Sequence, residues 1–244
     1  MNIDKFLIFR TINRLANCYS SMLFLEVIFF LGIFIIGYSY IGYGCLTWTI
    51  NNIKNWFRNA KNPLQTADLP EITLVIAAYN EAAIIRQKIK NSRQLDYPAG
   101  KLKILIITDG STDGTHIIAG QTPEVEVLHH PERRGKIDAI HRAMQHITSP
   151  IVVFSDANTI LNSSSIKNIA GHYSDPKVGG VAGEKKILIS GDTKVAGAGE
   201  GLYWEYESWL KKNDSDLYTV VGAAGELFSI RTELYEYVGR DVLL

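Results

Sequence analysis

The hydrophobic pattern opens on a long run without charge. Val27 to Ile50 reads VIFFLGIFIIGYSYIGYGCLTWTI and contains no Asp, Glu, Lys or Arg. As a helix it extends about 36 Å, enough to cross a hydrocarbon core of about 30 Å with some tilt. Tyr43 and Trp48 near its end suit an interfacial belt. A cleaved signal peptide would carry a shorter apolar core followed by a small-residue cleavage site. The run therefore predicts one membrane helix, at about 27–50, within an N-terminal segment 1–58. Charge leaves its orientation open, because Lys5, Arg10 and Arg14 precede it and Lys54, Arg58 and Lys61 follow it.

The pattern then changes period. Residues 59–71 are polar with two prolines and read as a linker. After it, short β-branched runs alternate with amphipathic segments. Strands are predicted at Ile72–Ala78, Lys103–Thr108, Val125–His130 and Ile151–Ser155. Helices are predicted at Glu81–Leu95, from near Asp113, and at Lys136–Ile147, the last with Ile137, Ile140 or His141, and Met144 on one side. This alternation implies βαβ units and an α/β fold with a mostly parallel sheet buried on both faces. Beyond Leu161 the pattern loosens. A helix over 163–173 with a cap at Ser163 or Ser164, a strand within 178–183, an aromatic helix over 200–212 and a final strand ending at Arg231 are expected.

Composition narrows the field. Lys plus Arg is 25 and Asp plus Glu is 25 in 244 residues, a balance that argues against a nucleic-acid partner. The two cysteines, Cys18 and Cys45, lack metal-ligand spacing and give no disulfide framework.

The chemistry collects where strands end. Ligands of open α/β sheets bind outside the carboxyl ends of the strands. The first strand ends in AAYNE (Tyr79, Asn80, Glu81), the second in TDGSTDG (Asp109, Ser111, Asp113), and the fourth in SDAN (Asp156, Asn158). Oxygen-rich side chains meeting at one rim suit Mg²⁺ or Mn²⁺ shared with a phosphate ligand. Arg133, Arg134 and Lys136 surround Gly135 at a helix start, where exposed N–H groups and a lysine also suit phosphate. Each piece alone has a plainer reading as a turn, cap or solvated basic loop. An EF-hand is excluded: the twelfth loop position is Gly120, not Glu, and a strand precedes the loop. Neither a Walker loop nor a G-x-G-x-x-G fingerprint is present.

The ordered set VIAAYNEAAII, LDYP, LKILIITDGSTDGT, RRGKIDAIHRAM, IVVFSDANTIL and YWEYESWLKK…VGAAGELFSIR resembles glycosyltransferase family 2, the inverting enzymes of GT-A (Rossmann-like) fold, over roughly two thirds of the chain. With the apolar helix, it resembles the membrane-bound members that make cell-surface polysaccharides. The resemblance implies a domain at 72–244, with a donor-binding half at about 72–160 and an acceptor half at about 161–244. It implies that Tyr79 and Glu81 line a nucleoside pocket, that Asp109 holds base or ribose, and that Lys136 lies near the diphosphate. Asp156 would be the first acid of the DxD motif, binding diphosphate through Mg²⁺ or Mn²⁺. Here that motif reads DAN, so Asn158 offers a carbonyl oxygen without charge. Gly225 and Glu226, in GAAGE, would lie near a saccharide or lipid-linked acceptor.

The donor would be a nucleoside diphosphate sugar, with UDP expected from its frequency in the family. A cytosolic domain on the cell membrane follows, since nucleotide sugars are made in the cytosol. The family's catalytic base, an Asp in an acidic pair, and its later QxxRW motif are expected beyond Leu244; Asp241 matches the position before the pair and is not assigned as base. On this reading the chain is a partial enzyme that binds nucleotide and transfers sugar poorly or not at all. Two other classes are weighed. A sugar-nucleotide pyrophosphorylase would need G-x-G-T-R after the first strand, where AAYNE stands. A non-catalytic nucleotide-binding or scaffold subunit of a membrane synthase stays open.

Overall fold

A computed structural model describes residues 3–56, 69–184, 194–219, 222 and 225–238. Most of the expected linker, and Asp241, lie outside these residues. The chain forms two compact units. One comprises residues 1–59 and Trp209–Thr219, the other residues 60–208 and 220–244.

The apolar run lies within a longer helical segment than its composition predicts. Helix α1 covers Ile3–Gly37, a π-helical turn covers Tyr38–Gly42, and helix α2 covers Tyr43–Trp56. Ser21–Trp56 is long and apolar enough to cross a bilayer, with a mean hydropathy of 2.2 over its most apolar 18 residues. Phe24, Phe29, Phe30, Phe34 and Ile36 are each exposed. α2 is held to the last turns of helix α7 (Lys194–Leu217), the part of α7 that belongs to this unit. Asn51 Nδ2 donates to Asn213 O at 2.7 Å, and Lys54 Nζ to Leu217 O at 2.6 Å and Asp216 O at 3.1 Å. Carbonyls at a helix end lack intrahelical partners, and the lysine supplies one.

The second unit is built on a six-stranded sheet in the order β3-β2-β1-β4-β6-β5. Its strands are β1 (Ile72–Ala78), β2 (Leu102–Asp109), β3 (Val125–His130), β4 (Ile151–Asp156), β5 (Gly180–Ala182) and β6 (Leu227–Arg231). The first four pair in parallel as expected; β6 runs antiparallel to β4 and β5, so the sheet is mixed. Helices α3 (Ile85–Arg93), α4 (Thr115–Ala119), α5 (Lys136–Met144) and α6 (Ser165–His172) connect the strands.

The period-2 alternation of β1 explains the layers. Leu74 and Ile76 face a core shared with α3 and α6 through Ile85, Ile89, Ile166 and Ile169. Val75 faces a second core with α5 through Ala139, Ile140 and Ala143. Both faces are apolar because both are covered. The serine expected to cap α6 stands at its N-cap, but the Ser164 hydroxyl donates to Asn162 Oδ1 and no side chain caps the helix.

β1 neighbours β2 on one side and β4 on the other, so the connections leave β1 in opposite directions. At such a switch point a crevice opens beyond the carboxyl ends of the strands.

Candidate functional site

That crevice is a cleft of about 310 Å³, and Tyr79, Glu81, Asp109, Lys136, Asp156 and Asn158 all line it. These residues come from four separate stretches of sequence. Ala78 pairs with Thr108 and Ala77 with Asp156, so the ends of β2, β1 and β4 lie level on one edge. Asp109 and Asp156 therefore share that edge, two strand spacings or about 10 Å apart.

Two loops form the edge, and most of the TDGSTDGT motif is spent joining them. Asn80 adopts φ 54°, a left-handed conformation that Asn tolerates. Its Oδ1 accepts Thr112 N at 2.9 Å, and its own N–H meets Ser111 Oγ at 3.2 Å. Glu81 N donates to Thr115 Oγ1 and Ala82 N to Asp113 Oδ2, each at 2.9 Å. The Thr115 hydroxyl, and then the Ala82 N–H, hold the Asp113 carboxyl below its ordinary range. Ser111 and Asp113, expected from sequence at the ligand rim, are instead loop staples.

Asp109 reaches the cleft wall, but its oxygens are engaged. The side chain is buried, and Oδ2 accepts Arg134 N at 2.6 Å and Gly135 N at 2.7 Å. Oδ1 pairs with Arg142 Nη2 at 2.9 Å. This corrects the expectation of exposed backbone N–H groups at the PERRGK turn: those of Arg134 and Gly135 point at a carboxylate within the protein. Gly110 completes the arrangement. At φ +68° it lies so near the turn that a Cβ would sit 2.7 Å from Arg133 N. The turn so fixed places the Arg133 guanidinium 3.9 Å above the Tyr79 ring, a cation–π contact at the cleft rim.

Beyond β1, Lys136 Nζ donates to Asp156 Oδ1 at 2.8 Å. Asp156 is half-buried and Asn158 is exposed. Asp156 N meets Glu226 O at 3.4 Å, and a Cβ on Gly225 would lie 3.9 Å from Lys136 Nζ. The two residues expected on the acceptor side thus adjoin Lys136 and Asp156.

Asp156 and Asn158 offer one carboxylate and one amide oxygen, and no trio of His, Cys, Asp or Glu with metal-binding geometry occurs among the described residues. Such a hard, sparse donor set fits Mg²⁺ or Mn²⁺ held jointly with phosphate oxygens better than a cation caged by protein alone. Asp156 already accepts a cationic group, the Lys136 ammonium, which supports that fit.

Three further residues support the site and escaped the sequence reading. Lys88 is fully buried beneath the turn after β4, and Asn91 lies one turn further along α3. Burial lowers the Lys88 pKa to about 8, against an opposing pull from the Asp156 charge. Helical spacing carried the one available signal: Ile85, Lys88, Ile89 and Ser92 form the buried stripe of α3, so a lysine stands at a core position. Arg142, the partner of Asp109, has no local mark at all.

A sheet ordered in this way, with a carboxylate- and lysine-lined cleft at its switch point, defines a GT-A-like protein. A mannosyltransferase from Pyrobaculum calidifontis, solved in complex with GDP-Man and Mn²⁺, superposes with a TM-score of 0.64 at 25% identity, covering 82% of this chain and 55% of that one. The family "Glycosyl transferase family 2" matches residues 73–239, and the chain belongs to that family. Among curated relatives, the beta-monoglucosyldiacylglycerol synthase of Nostoc sp. is 28% identical over 65% of this chain and 34% of its own length. The poly-beta-1,6-N-acetyl-D-glucosamine synthase of Staphylococcus aureus is 28% identical over 57% of this chain and 36% of its own length. The matched region spans about a third of these relatives.

Proposed function

We propose that the chain is a membrane-anchored glycosyltransferase, or its donor-binding part, that takes a nucleoside diphosphate sugar with a divalent cation. The acceptor class proposed is a saccharide or lipid-linked sugar of a cell-surface polysaccharide. One observation carries this reading: residues from four separate segments meet around a single cleft at the sheet's switch point. The relatives' names and the neighbour complexed with GDP-Man and Mn²⁺ support the same class.

The residues divide the work by chemistry. Tyr79 and Arg133 form a flat, cationic face beside Glu81, suited to a nucleoside. Asp109 acts here by fixing the Arg133–Gly135 turn through Oδ2, while Oδ1 pairs with Arg142. Glycosyl transfer leaves growing negative charge on the departing diphosphate. The Lys136 ammonium stabilises that charge most when it is fully formed, which accelerates the step. Asp156 and Asn158 would hold the divalent cation, which supplies Lewis-acid neutralisation of the same oxygens. Gly225 brings the side proposed for the acceptor against Lys136, whose Nζ lies 3.9 Å from where a Cβ would stand.

The test is a donor screen on the full chain in membranes, with radiolabelled UDP-, GDP- and dTDP-sugars and Mn²⁺ or Mg²⁺. Metal-dependent release or transfer of label from one donor, lost in Lys136→Met, is the expected result. If no donor is consumed and none is bound, the reading is wrong; if a donor is bound without turnover, the chain is the donor-binding part.

A further inference from the structure

Among the described residues, Lys88 is the largest side chain with no exposed surface. Its neighbours on the inner stripe of α3, Ile85 and Ile89, are apolar, and an apolar residue would fill the same space without a desolvation cost. Among the described residues no carboxylate bonds to it. Its Nζ donates instead to Ser155 Oγ at 2.7 Å and to Thr159 O at 2.6 Å. Those two residues flank the Asp156–Ala157–Asn158 segment, one on each side. Three residues along α3, Asn91 continues the contact: its Nδ2 donates to Leu161 O at 2.7 Å and its Oδ1 accepts Leu161 N at 2.9 Å. Ser155, Thr159 and Leu161, on either side of Asp156 and Asn158, are thus each held by a polar side chain of one helix. The turn carries both proposed metal ligands, while α3 itself lines no part of the cleft.

We propose that Lys88, with Asn91, is a positioning residue for the cation–diphosphate subsite, setting Asp156 and Asn158 from beneath without touching ligand. The proposal rests on the functional reading above. Groups that orient ligands of a metal in this way commonly change metal affinity about 10- to 100-fold when removed. The nucleoside end of the cleft is built from the β1 and β2 loops and the Arg133 turn, none of which bonds to Lys88. Removal of Lys88 should therefore weaken one end of the ligand and spare the other.

The experiment compares the full chain in detergent with Lys88→Met and Asn91→Ala. Mn²⁺ binding in the presence of UDP or GDP is followed by the electron paramagnetic resonance signal of free Mn²⁺, and binding of uridine or guanosine alone by saturation-transfer NMR. A folded Lys88→Met that loses about 10-fold or more in Mn²⁺–nucleoside diphosphate affinity, with nucleoside binding unchanged, is the expected result. Equal loss of both, or loss of neither, overturns the proposal. If Lys88→Met does not fold, Asn91→Ala decides by the same criterion. If the unaltered chain binds nucleoside but no Mn²⁺–diphosphate, the functional reading itself fails and the proposal falls with it.

Discussion

Asp109→Asn isolates the contact on which the cleft wall depends. The substitution keeps size and shape but removes the charge. The Asp109 side chain is 8% exposed and that of Arg142 is 25% exposed. The carboxylate accepts two backbone N–H groups and one guanidinium N–H. An amide cannot satisfy all three, because its NH₂ must face either Arg142 or the Arg134–Gly135 pair. Hydrogen bonds to a charged group contribute about 1.5–3 kcal/mol each, and breaking a fully buried pair costs about 3–5 kcal/mol. These terms overlap, and water still reaches part of Arg142, so the expected loss is about 3 kcal/mol. The four tryptophans lie at 48, 56, 204 and 209 and none is in a strand of the sheet, so urea unfolding is better followed by circular dichroism than by fluorescence. Arg142→Gln should cost less, and the double variant should show a coupling of about 1–2 kcal/mol. An Asp109→Asn protein within about 0.5 kcal/mol of the parent would refute the claim that this carboxylate organises the turn.

Three more outcomes follow from other contacts. Gly110→Ala forces a Cβ to 2.6 Å from Arg133 Cβ at a φ of +68°, and should lower stability by about 2 kcal/mol or more in the same unfolding assay. Lys88 has a folded pKa of about 8, below its ordinary 10.5. Below pH 8 both states hold the proton and the burial penalty is complete; between the two values the unfolded state binds more protons, so this group's contribution improves by up to about 3 kcal/mol as pH rises. The stability of the parent relative to Lys88→Met should accordingly increase from pH 8 to pH 10, and a flat difference would contradict the buried charge. In the N-terminal helical unit, Gly44→Val should detach α2 from the end of α7, since a Cβ there lies 2.5 Å from the Trp209 ring; faster hydrogen exchange at 209–217 is the measure.

Much of the sheet is legible in sequence because its strands are short apolar runs between turn residues. β1 and β3 begin and end where the pattern places them. The helix after β1 starts four residues later than its apolar spacing suggests, because Asn80 turns left-handed and Glu81 O accepts both Ile84 N and Ile85 N in a preceding turn. The antiparallel place of β6 is not legible, since it is set by pairing with β4 across more than seventy residues of chain. The same division holds at the site. Asp109 and Asp156 announce themselves at strand ends, and Lys136 at a helix start beside Gly135, so the three are found together. Their supports do not: Arg142 and Asn91 are ordinary surface types whose partners are distant in sequence, and the engagement of Asp109 by loop amides depends on a turn conformation that no spacing encodes.

The account turns on whether the cleft at the end of β1 and β4 holds a diphosphate and a divalent cation together. Isothermal titration of the full chain with UDP and with GDP, each with and without Mn²⁺, measures this directly, beside Asp156→Ala. The account predicts saturable binding of one nucleotide that is strengthened by Mn²⁺, with the Mn²⁺ enhancement abolished in Asp156→Ala. Absence of nucleotide binding, or binding to which neither Mn²⁺ nor Asp156 makes any difference, would contradict it.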